Sequence, residues 1–121
     1  MILKDTFYTV NSTSIEEKTL KYEVSIDPNH AIFKGHFPGN PVTPGVVQME
    51  MIKELLSVHF QRPVKMKSMN NCKFLAILNP ETSPNVLVNI SLQPTDSDNI
   101  KVSVVIANET TSFLKIQAEY Y

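Results

Sequence analysis

All three glycines of this chain fall between Gly35 and Gly45, interleaved with Pro38, Pro41 and Pro44. Proline fixes φ at about −65° and removes a backbone donor, while glycine reaches conformations closed to other residues. So dense a mixture dictates a constrained turn and excludes regular structure across it. Directly after it comes a nearly unbroken apolar run: Val46, Val47, Met49, Met51, Ile52, Leu55, Leu56, Val58 and Phe60. Because a missing N–H is harmless at the first helical position, Thr43 reads as an N-cap, Pro44 as the first helical residue, and a helix is predicted over 44–60. Apolar residues cover most of its circumference, which predicts burial on most sides. Glu50, Lys53, Glu54 and Ser57 form the remaining polar stripe, with Lys53 as the i,i+3 partner of Glu50.

Elsewhere the apolar period is two. Leu20, Tyr22, Val24 and Ile26 alternate with polar residues, and strands are predicted over 6–10, 19–26, 65–76, 85–93, 101–107 and 110–120. The first two are expected to join through Asn11-Ser12-Thr13-Ser14. Asp27-Pro28-Asn29, Gln61-Arg62-Pro63, Asn79-Pro80-Glu81, Pro94-Thr95-Asp96 and Asn108-Glu109 punctuate the rest. One long helix among antiparallel strands makes an α+β protein with the sheet wrapped around the helix. At 121 residues the chain reads as one domain, 1–121, with room for a single core.

A net charge of −1 and a pI near 6.3 provide no field that would gather nucleic acid or an anionic membrane, and neither is expected as a partner. No run approaches the roughly twenty apolar residues of a membrane helix, and the N-terminus does not resemble a signal peptide, so a cytoplasmic location is expected. The single cysteine, Cys72, has no second thiol for a disulfide or a metal pair and reads as a small apolar strand residue. His30 reads as a polar residue that stabilises its loop, and His59 as a complement to the helix dipole. No metal site is expected from His30, His36 and His59.

Asn29, Phe33, Gly35-His36-Phe37-Pro38-Gly39, Pro41, Pro44-Gly45 and Glu50 together resemble, without a gap, the signature of the β-hydroxyacyl-acyl-carrier-protein dehydratases. Weaker similarity continues through Lys73-Phe74 and Gln117-Ala118-Glu119-Tyr120. The resemblance implies the hot-dog fold and a 3-hydroxyacyl-[acyl-carrier-protein] dehydratase, a hydro-lyase of fatty-acid or polyene synthesis that needs no cofactor. It implies His36 and Glu50 as the catalytic pair. Gly45, Val46, Phe37 and Pro38 would bind substrate, while Val42, Gly39 and Pro44 support the site. It also implies an acyl-carrier-protein or coenzyme A thioester as substrate. A homodimer pairing two sheets edge to edge would set His36 against Glu50 of the other subunit.

The chemistry fits these residue types. Elimination takes a proton from C2 while hydroxide leaves C3 with a proton gained. Neutral imidazole is a suitable base for the first step. A carboxyl group among apolar helix residues is disfavoured in its charged form, which suits Glu50 to donate a proton or to orient the departing water. An N–H in the first turn of a helix has no intrahelical partner and points at developing negative charge with the helix dipole behind it. Pro44 has no N–H; Gly45 has one, in the position that the resemblance gives to the thioester oxyanion. By the same resemblance, Nδ1 of His36 donates to the Val42 carbonyl, leaving Nε2 as the base.

Three features depart from the family pattern. Glu54 stands where the family helix has glutamine, and a second carboxylate on that face is expected to act on Glu50 through its charge or its orientation. Leu75-Ala76-Ile77 replace basic residues and proline, leaving Arg62, Lys65, Lys67 and Lys73 as the basic surface for an acidic carrier. Val46-Val47-Gln48 is similar to dehydratase-like relatives of specialised polyene and pigment pathways. Two rival readings keep the same architecture: a hot-dog acyl thioesterase, and a non-catalytic acyl-binding partner subunit.

Overall fold

A computed structural model describes residues 2–34 and 42–121. The helix α1 spans Gly45–Phe60, and six strands, β1 (Tyr8–Glu16), β2 (Thr19–Ile26), β3 (Met66–Phe74), β4 (Asn85–Gln93), β5 (Ile100–Ala107) and β6 (Ser112–Tyr120), form one sheet. Its order is β1-β2-β4-β5-β6-β3, every neighbour antiparallel, so β1 and β3 are the free edges. This is the expected α+β arrangement of one helix and one antiparallel sheet.

The alternating residues line up in register across the sheet. Tyr22, Val88, Ile106, Leu114 and Phe74 form one row on the helix side, and Leu20, Ile90, Val104, Ile116 and Cys72 form the next. Against them α1 sets Val47, Met51, Ile52, Leu55 and Leu56, all buried with the inner strand residues in one core. An extra residue in β6 relative to β5, between the pairs Ile106↔Leu114 and Ala107↔Ser112, lets adjacent Phe113 and Leu114 both be buried. Both edge strands carry bulges as well: β1 between Val10 and Ser12, β3 between Met66 and Ser68 and again between Met69 and Asn71.

Two local expectations are corrected and one is qualified. The first strand is Tyr8–Glu16, so Asn11-Ser12-Thr13-Ser14 lies inside it and the hairpin turns at Glu17-Lys18. That half of β1 is exposed on both faces, which erases the alternation that would have marked it. The N-cap is Pro44, not Thr43: Pro44 is extended (φ −60, ψ 149), and its carbonyl accepts from Val47 N and Gln48 N at 3.1 Å. Thr43 is instead held by its backbone, N to the Leu78 carbonyl at 2.8 Å and its own carbonyl from Gln48 Nε2 at 3.2 Å. Finally, α1 is buried or half-buried along most of its length as expected, but two of its apolar residues, Val46 and Val58, face outward and are exposed.

Candidate active site

Residues 35–41 lie outside the described residues, and with them His36, Phe37, Pro38 and Gly39. The other expected site residues surround the first turns of α1. Val42 and Pro44 are half-buried in the approach, and Gly45 opens the helix. The first backbone acceptor in the helix, Pro44 O, is taken by Val47 and Gln48, so the Gly45 and Val46 amides precede the first helical bond.

A β-carbon on Gly45 would run into the ring of Phe74. Phe74 closes the inner row of the sheet on the edge strand, so the glycine is what lets the helix start and β3 approach each other. Phe74 is itself 57% exposed, and Val46, Leu75 and Ile77 are exposed as well. Met69 extends the exposed apolar residues along the same strand.

Glu50 lies farther along the same side of the helix. With Val46, Met49, Lys53, Met66 and Tyr120 it lines a groove of about 220 Å³. Met66 and Tyr120 pair directly across β3 and β6, so the wall opposite the helix is built from strand ends far apart in sequence. Lys53 Nζ stands 3.5 Å from Glu50 Oε1, the i,i+3 partner expected. The Glu50 side chain is 24% exposed, less enclosed than its apolar surroundings suggested. Tyr120 is pushed up to about 12 by burial first and by the nearby Glu50 charge second, so its phenol stays neutral throughout the physiological range.

Glu54 is hydrogen-bonded to the N-terminal segment. Its carboxylate accepts from Leu3 N at 2.7 Å, Lys4 N at 3.0 Å and the Tyr8 hydroxyl at 3.0 Å. Burial, then the charge and hydrogen bond of Glu54, raise the Tyr8 phenol well above its ordinary range. This carboxylate ties the N-terminal segment to the helix. His30 acts within its loop as expected, Nδ1 accepting from Ile32 N at 3.1 Å while its ring meets Phe7 edge-on. His59 packs edge-on against Phe60 in the last helical turn. Among the described residues no cluster of His, Cys, Asp and Glu has metal-binding geometry.

One residue to which the sequence reading gave no structural role is Gln48, 2% exposed in the first turn of the helix. Its amide holds the Thr43 carbonyl, while its Oε1 and the Thr43 hydroxyl have no partner among the described residues. A glutamine inside an otherwise apolar run was the available signal. Buried polar atoms are ordinarily paired, so an amide there is an anchor for the turn that precedes it.

Comparison with known proteins gives a consistent picture. The family model for ApeI-like proteins, described as ApeI dehydratase, matches residues 12–114. The 3-hydroxyacyl-[acyl-carrier-protein] dehydratase FabZ of Legionella pneumophila (strain Philadelphia 1) is 23% identical over 120 residues, 88% of this chain and 69% of that protein. FabZ of Rickettsia massiliae is 26% identical over 115 residues, 78% of this chain and 79% of its own. Among solved structures, the dehydratase heterocomplex ApeI:P from Xenorhabdus doucetiae superposes with a TM-score of 0.77 at 17% identity, covering 93% of this chain and 96% of that one. An uncharacterized protein from Erwinia carotovora subsp. atroseptica follows at 0.59 and 19% identity, covering 93% and 90%. The fold is the hot-dog fold.

Proposed function

The chain belongs to the family of ApeI-like dehydratases, and from that premise we propose that it interconverts 3-hydroxyacyl and trans-2-enoyl thioesters. The observation that carries the reading is that one helix, α1, bears three elements. They are a helix-start amide at Gly45, a carboxylate at Glu50, and an apolar groove running between the helix and the β3 edge.

In the elimination His36 takes the C2 proton through Nε2, with Nδ1 donating to the Val42 carbonyl. The C2–H electrons form the C2=C3 bond, the C3–O bond breaks, and hydroxide leaves as water on a proton given by the Glu50 carboxyl, or on the proton returned from His36 while Glu50 orients the departing water. Charge that gathers on the thioester oxygen meets the Gly45 N–H at the positive end of the helix dipole. Each acid–base group typically supplies about 10²- to 10⁴-fold. Phe37, Pro38 and Val46 line the acyl path, and Gly39 and Pro44 hold the turn.

The substrate is an acyl-carrier-protein thioester of a specialised polyene or related fatty-acyl pathway. Catalysis takes place in a dimer joined along β3, where an unpaired edge and the apolar residues Met69, Phe74, Leu75 and Ile77 favour a partner strand. There, His36 of one subunit serves Glu50 of the other.

Hydration of a trans-2-enoyl thioester, followed by mass spectrometry and a free-thiol assay, tests this. Wild type gains one water, and His36→Ala or Glu50→Gln abolishes the gain while the dimer persists. Release of thiol assigns the chain to the thioesterases instead. A second reading, a non-catalytic subunit beside a distinct hot-dog chain, has in its favour that the structural relative at TM-score 0.77 is a heterocomplex. Turnover only after a second, different subunit is added would select it.

A further inference from the structure

Three consecutive peptide groups lead from Val42 into α1, and each is held by a hydrogen bond to one of its own atoms. A trans peptide group is planar with its N–H and C=O pointing opposite ways, so fixing one fixes the other. No peptide bond among the described residues is cis. The group joining Val42 to Thr43 is held by Thr43 N, which donates to the Leu78 carbonyl at 2.8 Å and so turns the Val42 carbonyl to the side away from Leu78. The group joining Pro44 to Gly45 is held by its carbonyl, which accepts from Val47 N and Gln48 N at 3.1 Å, and its N–H points out of the helix start. Between them, the group joining Thr43 to Pro44 has no N–H, and only its carbonyl can be held. Gln48 Nε2 holds it at 3.2 Å.

Among the described residues no other donor reaches the Thr43 carbonyl, so this side chain alone restrains the link between the Val42 carbonyl and the Gly45 amide. Folding gains little from it. Gln48 is 2% exposed, and its Oε1 has no partner among the described residues. A buried oxygen without a partner costs about 1–3 kcal/mol, whereas one neutral hydrogen bond contributes about 1 kcal/mol. Measured against the described residues, an apolar side chain of the same volume would serve the core as well. A buried polar group with so little to offer stability calls for a different account. The position of its one bond supplies it, because the groups on either side are those assigned above to His36 Nδ1 and to the thioester oxygen.

We infer that Gln48 is a positioning residue: through the Thr43 carbonyl it sets the Val42 carbonyl and the Gly45 amide relative to each other, so that the acceptor for His36 and the donor for the thioester oxygen serve one substrate together. The inference rests on the dehydratase reading for the roles of these two groups. Gln48 itself touches no reacting atom. With φ of Pro44 locked by its ring, ψ of Thr43 is the torsion that the Gln48 bond restrains most directly. Releasing it lets the two groups drift out of their joint alignment, which slows the chemical step more than it weakens binding.

The test compares wild type with Gln48→Met and Gln48→Leu, which nearly keep the volume and drop the donor, in enoyl-thioester hydration, urea unfolding and nitrogen NMR of the His36 ring. Urea midpoints should stay within about 0.5 M of wild type, since loss of the hydrogen bond is offset by removal of a buried amide. In both variants kcat should fall about ten- to a hundredfold while KM stays within about threefold. The neutral His36 ring, with its proton on Nδ1 in wild type, should shift toward a mixture of the two tautomers. Full kcat in a folded variant overturns the inference, as does a loss confined to KM or an unchanged ring tautomer. A midpoint lowered by more than about 1 M in both variants assigns Gln48 to the core and overturns it too. If wild type hydrates no thioester, the dehydratase reading falls, and the ring tautomer in wild type and variants then decides the inference by itself.

Discussion

Replacing Glu54 by alanine tests whether this carboxylate belongs to the architecture or to the chemistry. It accepts two backbone N–H groups, from Leu3 and Lys4, and the Tyr8 hydroxyl. Hydrogen bonds to a charged group contribute about 1.5–3 kcal/mol each when taken singly. The three are not additive, because truncation lets the backbone of this terminal segment turn toward water. Leu3, Phe7 and Tyr8 are all buried, however, so the segment cannot leave freely, and the Tyr8 hydroxyl loses its partner. We expect Glu54→Ala to lower unfolding free energy by about 3 kcal/mol, or Tm by roughly 10 °C for a domain of this length. Urea unfolding followed by circular dichroism measures it. Tyr8→Phe alone should cost about 1 kcal/mol, and less in the Glu54→Ala background, because the two residues share one interaction. A Glu54→Ala protein within about 1 kcal/mol of wild type would refute the anchoring role. So would a Glu54→Gln protein of wild-type stability that had lost its hydration activity.

Two further predictions follow from the site. Gly45→Ala forces the Phe74 ring aside, but that ring is largely exposed and free to swing, so stability should change by no more than about 1 kcal/mol while kcat/KM for enoyl hydration falls at least about tenfold; equal activity would show that close approach at Gly45 is not needed. Tyr120, raised from 10.0 to about 12, ionises in the unfolded chain before the folded one. Its contribution is therefore complete below pH 10 and disappears as pH rises toward 12, about 2–3 kcal/mol in all. Tyr120→Phe should flatten that part of a stability curve measured by chemical denaturation between these limits, and an unchanged slope would count against it.

The helix and the β2, β4, β5 and β6 strands were legible because each keeps one buried stripe, so periodicity alone announces them. The outer half of β1 was not, since a strand exposed on both faces has no stripe to show. The N-cap moved by one residue because Pro44 takes the extended geometry that Thr43 was expected to have, and no composition rule separates those two arrangements. Glu50 and Lys53 were readable as helix neighbours, whereas the partners of Glu54 lie 46 to 51 residues earlier and only the folded chain brings them together. The groove wall is hidden for the same reason: Met66 and Tyr120 become neighbours through strand pairing. The roles of His36, Phe37, Pro38 and Gly39 rest on the motif and on the proposed reaction, because their segment lies outside the described residues.

The bulges at the two borders of the sheet bear on how such a protein stays discrete in a crowded cell. A regular border presents donors and acceptors at an even spacing, and any extended chain can zip onto it, including another copy offering the wrong border, which would begin a filament. Here β1 carries an inserted residue near Asn11, whose amide is fastened to the Ser25 hydroxyl at 2.5 Å, and β3 carries two insertions. An insertion bends the strand and breaks the even spacing. Each border thus works like a cut key: a strand with matching irregularity can seat along it, and a generic one slips out of phase within a few residues.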